Sequence, residues 1–400
     1  MPYNCPPVLI KTCFPSLPLS DIKKTVLIPR TRKIKNKAKS AFLKIEVFMK
    51  KLGLIFLLII VIIISQTSCS VKHVGNSKSE EDQSAPVSKE GFFFDTVCKI
   101  TIFDMDNMSK ENAEDAIDKS YKEAAKYEKV FSRQVDGSEL WNLNKKGELE
   151  ASDDLFTVIQ AGLKYGDISG GKFDITMGPV LDLWKFNKEG VNQLPKDEDI
   201  KKALELVDYK IVEASKLNDS QNLVKTAGSG SEIDLGGIAK GYICDRISES
   251  LSDRGVTSAI VNLGGNITVI GEKPGNKPFN VAIEKPFSER KDMIGIVKMK
   301  NGTIVTSGTY ERYVEVGGKK YHHILDPATG WPIDTDVVSV TILSKIGNSM
   351  ECDAMSTTAL LLGSERGLQL IEQAPEMEAL FQLKDGTITK SSGFEYEEGR

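Results

Sequence analysis

The sequence predicts an α+β fold in which helices flank a large mixed or antiparallel β-sheet. Two observations predict this class. Short apolar segments with the pattern of strands outnumber the segments with helical spacing, and several of them follow one another through glycine-containing turns. Strands joined by short turns pair antiparallel, whereas parallel neighbours need a long crossover between them. A sheet built mainly from hairpins, with helices packed on it, is therefore expected.

The predicted helices combine apolar residues three or four positions apart with residues that commonly begin a helix. Ser109 is a candidate N-cap of the first helix, and Ser152 directly precedes the second. Pro195 and an acidic first turn introduce the third, as the fixed proline backbone and the helix dipole favour. The predicted helices are 109–131, 153–165, 200–207, 238–251 and 349–362.

The predicted strands are rich in Val, Ile, Phe and Thr. Gly317 and Gly318 separate two of them. A two-glycine loop suits a type I′ hairpin turn because both of its residues need a positive φ. The predicted strands are 92–103, 231–235, 258–262, 267–271, 279–283, 294–299, 303–306, 314–316, 319–325 and 337–343.

The formal charge of −4 is the sum of three unlike parts of the chain. Residues 1–51 carry 12 basic and 2 acidic side chains, residues 52–69 carry no charge, and residues 70–400 carry 40 basic and 54 acidic side chains. The acidic body argues against binding to nucleic acid through bulk charge, so we expect no nucleic-acid partner. The body is long enough to bury a substantial core.

The short uncharged segment follows the plan of a secretory signal peptide. Met49 and two lysines precede the apolar run 52–64, which is short for a membrane span of roughly 20 residues. Cys69 follows small residues and resembles the lipidated cysteine of a bacterial lipobox. We interpret 49–69 as a signal peptide with a lipobox, and an uncleaved anchor helix is the alternative. Either places the protein outside the cytoplasm, tethered at the outer face of the cytoplasmic membrane.

Composition predicts the remaining boundaries. Residues 1–48 hold six prolines and no sustained periodicity, and we interpret them as an upstream extension before a start at Met49. A basic arm that binds nucleic acid is the alternative. Residues 70–90 are rich in Ser, Lys, Glu and Asp, which predicts a flexible linker. Residues 91–400 then form the folded domain.

A glycine turn lies at 234–241, where DLGGIAKG ends a predicted strand and begins a predicted helix. The glycines let the backbone approach a ligand, and free N–H groups at a helix start attract an anion. Lys240 lies in the first turns, within reach of such an anion. The pattern is neither GxGxxG nor the Walker sequence, so neither standard nucleotide fold is implied. A tight turn without a ligand is the alternative.

His322 and His323 are two of the three histidines of the chain, and they are adjacent at the end of a predicted hairpin. Neighbouring side chains on a strand point to opposite faces, so only one of them can face a given site. Histidine titrates near neutral pH and is a candidate general base or acid. A histidine bonded to backbone is the alternative.

Two further patterns could contribute to a site. Asp353 and Thr357 are four residues apart on one face of the last predicted helix. A carboxylate with a hydroxyl suits Mg²⁺ better than zinc. The segment 170–179, GGKFDITMGP, places glycines on both sides of a short strand that carries Asp174. Taken alone, the Asp353/Thr357 spacing is better explained by an ordinary helix face, and a plain glycine-rich connection explains 170–179 as well as a binding loop does.

Seven segments between about residues 94 and 362 share one family order. They are FSRQVDGSELWNLN, GGKFDITMGPVLDLW, DLGGIAKGY, VNLGGNI, TSGTYER, HHILDPATG and CDAMSTTALLLG. Together, in this order, they resemble the ApbE family of FAD:protein FMN transferases. The resemblance implies a T-fold-related α+β domain with the active site between its subregions. It also implies exported, often lipid-anchored enzymes, in agreement with the signal peptide.

The resemblance implies a reaction as well. FAD would be the substrate and Mg²⁺ the cofactor of a cleavage of the FAD pyrophosphate. FMN would pass to a Thr or Ser hydroxyl of a target protein, and AMP would leave. The implied targets are membrane subunits of Na⁺-translocating NADH:quinone reductase or of Rnf-type electron-transfer complexes. Such a transfer requires a site that neutralises the pyrophosphate charge and holds the hydroxyl in line.

The same resemblance implies roles for particular residues. Asp353 and Thr357 would be metal ligands together with the carbonyl oxygen of Gly237, and Asp353 would thereby be catalytic. His323 would accept the proton of the target hydroxyl, with orientation of the phosphate as the alternative role. The residues that would bind FAD are Phe94, Gln134, Lys172, Phe173, Asp174, Asp234, Lys240 and Ile324.

Two of these positions depart from the family pattern. Phe94, in Phe94-Asp95-Thr96, stands where the family usually has Met-Gly-Thr, and its ring could cover the flavin or adenine ring by stacking. Gln134 stands where an aromatic residue is common, so one face of the ligand would be held differently.

Two other functions are compatible with the sequence. An FAD pyrophosphatase of the same fold would pass FMN to water, and the sequence cannot separate it from a transferase because the acceptor lies on another chain. A periplasmic flavin-binding lipoprotein without chemistry is the second. The Asp353/Thr357 pair and His323 argue against a mere binder, which needs neither.

Overall fold

The computed structural model describes residues 8–9, 85–104, 107–186, 188, 190–226, 228, 230–288, 292–344 and 347–399. All of them belong to one compact unit, Met1–Phe14 with Asp82–Arg400. The predicted signal peptide, its Cys69, and most of the predicted extension and linker lie outside the described residues. Within the described ranges, no helix is long and apolar enough to cross a membrane.

The described chain is a succession of short strands with eight α-helices and one 3₁₀ turn, Tyr209–Ile211, between them. The strands are β1 (Val8–Leu9), β2 (Val87–Phe93), β3 (Thr96–Ile102), β4 (Glu148–Ala151), β5 (Glu213–Asn218), β6 (Gln221–Lys225), β7 (Ala259–Leu263), β8 (Asn266–Ile270), β9 (Phe279–Glu284), β10 (Met293–Met299), β11 (Gly302–Gly308), β12 (Tyr313–Val316), β13 (Lys319–His322), β14 (Val337–Ser344), β15 (Glu378–Leu383), β16 (Ile388–Lys390) and β17 (Glu397–Glu398). The helices are α1 (Lys110–Phe131), α2 (Glu139–Lys146), α3 (Asp153–Ser169), α4 (Gly178–Trp184), α5 (Asp197–Leu204), α6 (Ala239–Asp253), α7 (Ser349–Leu362) and α8 (Ser364–Glu372).

The predicted α+β class is confirmed. The largest element is an eight-stranded sheet with the order β16-β15-β14-β11-β8-β7-β3-β2. Every pairing within it is antiparallel. A second sheet has the order β1-β9-β10-β17, a third has the order β4-β6-β5, and β12 and β13 form a separate hairpin.

Both faces of the eight-stranded sheet are covered. One face packs against α1, α6 and α7. The other packs against β9 and β10, where Phe279, Val281 and Val297 join the core. All residues of β7 and β8 are buried as a result. Strands covered on both faces appear as continuous apolar runs, which explains why their segments lack a polar alternation.

The prediction of one strand at 92–103 is wrong. This segment belongs to a hairpin of β2 and β3 whose turn is formed by Phe94 and Asp95, with φ of 52° and 56°. Both residues adopt the left-handed region that a type I′ turn requires. Neither is Gly or Asn, so the pattern contains no turn signal. Because β2 begins at Val87, the predicted linker 70–90 is wrong for its last four residues.

Other predictions differ in detail. The two-glycine hairpin is confirmed, with φ of 61° at Gly317 and 77° at Gly318. The predicted strand 231–235 forms only an isolated bridge between Glu232 and Met177. The sequence also does not predict α2, α4, α8, β4 to β6 or β15 to β17, which are short or lack a clear period.

The crossing of α6 and α7 brings the central sequence motifs together. Gly241 on α6 lies so close to α7 that a Cβ atom there would be 2.2 Å from the carbonyl oxygen of Ser349. Asp245, one turn further on, is 4% exposed and accepts hydrogen bonds from the backbone N–H groups of Ser349 and Met350, both at 2.9 Å. The carboxylate of one helix therefore caps the N-terminus of the other, which has no side-chain cap of its own.

Replacing Asp245 by alanine is expected to lower the free energy of unfolding by about 2 to 4 kcal/mol, because two N–H groups at the start of α7 lose their partner. Urea unfolding followed by circular dichroism measures the change. Asp385→Ala is the matched control, since Asp385 also accepts from a backbone N–H, that of Thr387 at 2.8 Å, but is exposed. Equal unfolding midpoints for the two variants would contradict the capping role.

Candidate active site

A cleft of about 700 Å³ separates the α6–α7 layer from a smaller subregion formed by α4, α5 and the β12–β13 hairpin. Every residue for which the family resemblance implies a role in catalysis, FAD binding or metal binding lines this cleft. These residues are Phe94, Gln134, Lys172, Phe173, Asp174, Asp234, Gly237, Lys240, His323, Ile324, Asp353 and Thr357. The predicted residues therefore share one cleft, and their individual roles stay predictions.

Asp353 lies on α7 at the floor of the cleft and is 2% exposed. Its Oδ2 atom accepts a hydrogen bond from the Gly241 N–H at 3.0 Å, and the Asn266 side-chain nitrogen lies 3.4 Å from its Oδ1. The ammonium of Lys240 lies 3.3 Å and 3.4 Å from the two carboxylate oxygens. A buried carboxylate is normally paired with a cation or bound to a metal ion, and Lys240 is the cation beside Asp353.

The surroundings of Asp353 fit a magnesium ion. Thr357 lies one turn further along α7, and a Cβ atom on Gly237 would be only 3.7 Å from its hydroxyl oxygen and 3.2 Å from the Phe173 ring. The backbone of Gly237 therefore lies directly beside Thr357, with no room for a larger side chain. One carboxylate, one hydroxyl and one carbonyl are hard oxygen donors, and Mg²⁺ commonly takes its remaining ligands from water and substrate phosphate.

The glycine turn holds fewer free amides than the sequence suggests. Among its N–H groups, that of Gly236 donates to the side chain of Asp234, those of Ile238 and Ala239 donate to the Leu235 carbonyl, and that of Gly241 donates to Asp353. The prediction of free N–H groups facing an anion is therefore wrong for these four. The positive charge of this turn is that of Lys240, whose ammonium also donates to the Gly236 carbonyl at 2.8 Å.

The carboxylate of Asp234 is already engaged on both sides. Its Oδ2 atom lies 2.6 Å from Nε of Arg133, and its Oδ1 atom accepts from the Gly236 N–H at 2.8 Å. Arg133 was not among the predicted site residues. Asp234 lines the cleft as predicted, but its two carboxylate oxygens bind Arg133 and the Gly236 N–H.

The 170–179 segment is fixed in a similar way. Lys172 lies 2.9 Å from both carboxylate oxygens of Asp326, which ties this segment to the one that follows the histidines. Asp174 accepts hydrogen bonds from Thr176 and from the Tyr209 N–H, so its oxygens also serve local structure. Desolvation raises the pKa of Asp174 above its usual value. The side chain of this segment that lies beside Gly237 is that of Phe173.

His323 is the histidine of the adjacent pair that faces the cleft, and His322 does not line it. The Nδ1 atom of His323 lies 3.1 Å from the carbonyl oxygen of Arg312. Because a carbonyl can only accept, Nδ1 carries the proton and Nε2 keeps its lone pair. Desolvation and the nearby Arg312 charge lower the pKa of His323 from 6.5 to about 3, so the ring is neutral near pH 7.

The remaining predicted residues form the walls. The backbone N–H of Phe94 donates to a side-chain oxygen of Glu128 at 3.3 Å, which holds the left-handed turn at the cleft. Gln134 follows the end of α1, where its N–H donates to the hydroxyl of Ser132 at 3.3 Å. Ile324 is 6% exposed and supplies an apolar surface beside His323.

Several polar residues of the cleft were not predicted. Five of them are Arg133, Asp182, Ser307, Glu311 and Arg312. All five lie inside the segments that carry the family resemblance, which is the signal that points to them. Desolvation raises the pKa of Glu311 from 4.5 to about 7, so it is a second titratable group of the site. The hydroxyl of Ser307 lies 3.3 Å from that of Thr357, for which the resemblance implies a role as a metal ligand.

Comparison with known sequences identifies the same family that the seven segments resemble. The model of the ApbE family matches residues 94–381. The chain is 33% identical over 270 residues to an FAD:protein FMN transferase of Klebsiella pneumoniae (strain 342), which covers 67% of this chain and 82% of that protein. It is 31% identical over 313 residues to a protein of the same name from Treponema pallidum (strain Nichols), which covers 74% and 84%.

Solved structures of ApbE proteins are also similar to this chain. The ApbE protein of Thermotoga maritima is similar with a TM-score of 0.68 and 29% identity, covering 77% of this chain and 97% of that one. The flavinyl transferase ApbE of Pseudomonas stutzeri has a TM-score of 0.65 and 27% identity, covering 77% and 95%. The fold, the cleft and these similarities indicate that this protein is an enzyme. The chain belongs to the ApbE family, which confirms the resemblance of its seven segments.

Proposed function

We propose that this protein transfers FMN from FAD to a Thr or Ser hydroxyl of a target flavoprotein and releases AMP, in a reaction that depends on Mg²⁺. The observation that supports it most is the meeting of His323 with Asp353 and Thr357 in one cleft, beside the backbone of Gly237. The name of the curated relatives supports the same reaction class.

The bond changes follow from the substrate. The oxygen of the target hydroxyl forms a bond to the phosphorus of the FMN half of FAD, and the bond from that phosphorus to the bridging oxygen breaks. The bridging oxygen leaves with AMP, and the hydroxyl proton passes to Nε2 of His323. The hydrogen bond from Nδ1 to the Arg312 carbonyl supports this step, because it fixes the tautomer in which Nε2 can accept a proton.

The charge of the diphosphate needs compensation in an acidic protein. Asp353, Thr357 and the Gly237 carbonyl would hold Mg²⁺, which supplies positive charge to the diphosphate oxygens and to the leaving AMP when it is bound. Lys240 would add its ammonium on the same side, since it lies 3.3 Å from Asp353. Phe94 and Ile324 would contact the apolar parts of FAD.

Incubation of residues 70–400 with FAD, Mg²⁺ and candidate flavoprotein subunits tests the proposal. Transfer gives a fluorescent, covalently flavinylated band together with AMP, and chelation of Mg²⁺ removes both. AMP without a labelled band would indicate an FAD pyrophosphatase instead. Tight FAD binding with neither product would indicate a flavin-binding lipoprotein. Either of these results would overturn the proposal.

We also propose that the protein acts at the outer face of the cytoplasmic membrane, with a lipid on Cys69. The signal-like sequence at 49–69 supports this location. Membrane subunits of Na⁺-translocating NADH:quinone reductase or Rnf-type complexes are the targets that the family resemblance favours. Incorporation of a radiolabelled fatty acid into the full chain, and its loss in Cys69→Ser, is the expected result. A full chain without label would contradict the anchor.

A further inference from the structure

The guanidinium of Arg133 joins three carboxylates from two segments of the chain. Its Nε atom lies 2.6 Å from Oδ2 of Asp234, and its Nη1 atom lies 2.8 Å from Oδ1 of Asp182 and 3.3 Å from Oε2 of Glu232. Asp182 belongs to α4, whereas Glu232 and Asp234 belong to the segment that leads into α6. One cation therefore connects two motifs that also pair directly, through the bridge between Met177 and Glu232.

This arrangement is largely shielded from solvent. The side chain of Arg133 is 10% exposed, and those of Glu232 and Asp234 are 26% and 25% exposed. Only Asp182, at 56%, reaches well into solvent. Removing the guanidinium would leave carboxylates close together with little water to screen them, a strongly unfavourable arrangement.

Asp234 transmits this connection to the glycine turn. Its backbone N–H donates to the Ile175 carbonyl at 2.7 Å, and its second carboxylate oxygen, Oδ1, accepts from the Gly236 N–H at 2.8 Å. The next residue, Gly237, lies beside Thr357, with which it would share the metal ion. A continuous set of contacts thus runs from Arg133 to the backbone of Gly237.

We propose that Arg133 is a positioning residue for the 234–237 turn. By holding Asp234 against α4, it sets the place of the Gly237 carbonyl and of the start of α6 with Lys240. Asp234 then contributes to the site by fixing the conformation of the turn, since both of its carboxylate oxygens are already bound within the protein. This inference rests on the proposed function, because it assigns the turn to Mg²⁺ and FAD.

Arg133→Met should weaken metal use more than it weakens the fold. We expect the Mg²⁺ concentration for half-maximal AMP release, and the dissociation constant for Mn²⁺ measured by EPR, to rise about 10- to 100-fold. The maximal rate at saturating Mg²⁺ should fall less. In Arg133→Lys, both the Mg²⁺ concentration for half-maximal AMP release and the Mn²⁺ dissociation constant should lie between those of the wild-type protein and of Arg133→Met. One ammonium cannot reproduce the fork of a guanidinium. Arg133→Lys also carries the test if Arg133→Met fails to fold.

Arg254→Met is the matched control. Arg254 pairs with Glu123 at 3.0 Å and with Ser250 at 2.6 Å, is 30% exposed, and does not line the cleft. This variant loses the same side chain and a comparable ion pair. Both metal readouts should stay at the wild-type value in it, whatever happens to its melting temperature.

A second substitution separates positioning from general stability. In the Arg133→Met background, Asp234→Asn removes the uncompensated charge, while the amide oxygen can still accept from the Gly236 N–H. Mn²⁺ affinity should therefore recover in part in the double variant. Arg133→Met with a lowered melting temperature but unchanged Mn²⁺ affinity and Mg²⁺ dependence would overturn the inference. A wild-type protein without Mg²⁺-dependent AMP release would instead overturn the proposed function, and the inference with it.

Discussion

Replacing Asp353 by alanine is expected to abolish Mg²⁺-dependent turnover, with a loss of at least about 100-fold in AMP release. Asp353 is the only carboxylate among the three predicted metal ligands, and it is almost completely buried. Without it, a hydroxyl and a carbonyl remain, and these carry no net charge to hold a divalent cation. Raising the Mg²⁺ concentration should therefore not restore the rate.

AMP release at increasing Mg²⁺, together with a melting curve, measures this effect. The melting curve is needed because Asp353 also accepts from the Gly241 N–H and lies beside Asn266. Glu351→Gln is the control on the same helix, since Glu351 pairs with Lys164 and lies outside the cleft. It should keep near-normal turnover. An Asp353→Ala protein with a normal melting curve and full Mg²⁺-dependent activity would remove Asp353 from the metal site.

The parts of the fold that the sequence predicts are those where pattern and burial agree. Both faces of β7 and β8 are covered, so their segments are mostly apolar and easily assigned, with Asn262, Asn266 and Thr268 as buried polar exceptions. The hairpin turn at Gly317 and Gly318 is predictable because glycine tolerates a positive φ. The turn at Phe94 and Asp95 is not, because Asp tolerates a positive φ but Phe does not favour it, and the tertiary structure imposes this conformation on the pair.

The site likewise has a part that the sequence predicts and a part that it does not. Its members are predictable because they fall in segments that resemble one family, and all of them reach one cleft. Their partners are not predictable, since Arg133 and Asp234 are 101 residues apart and no local pattern relates them. The same holds for Lys172 and Asp326, which are 154 residues apart. Long-range ion pairs decide which carboxylates stay available to a ligand, and only the folded chain contains that information.

Replacing His323 by alanine is expected to reduce FMN transfer about 100- to 10,000-fold while FAD still binds, because the proton acceptor is lost and the binding walls remain. The low pKa of His323, about 3, adds a pH prediction. The imidazole is neutral from about pH 5 to pH 8, whereas an ordinary histidine would become protonated within that range. Wild-type transfer should therefore not decline toward pH 5 through protonation of His323.

His322→Ala is the matched control for that variant, since His322 is adjacent, lies outside the cleft lining and has a buried Nδ1 atom without a partner. Glu311 is the competing base. Its pKa of about 7 would make transfer rise with pH through that value, and the rise would persist in His323→Ala. Covalent flavin fluorescence measured from about pH 5 to pH 9 separates the two bases. Transfer that is lost in His323→Ala and partly restored by added imidazole assigns the proton to this ring, whereas retained transfer with the original pH profile assigns it to another group.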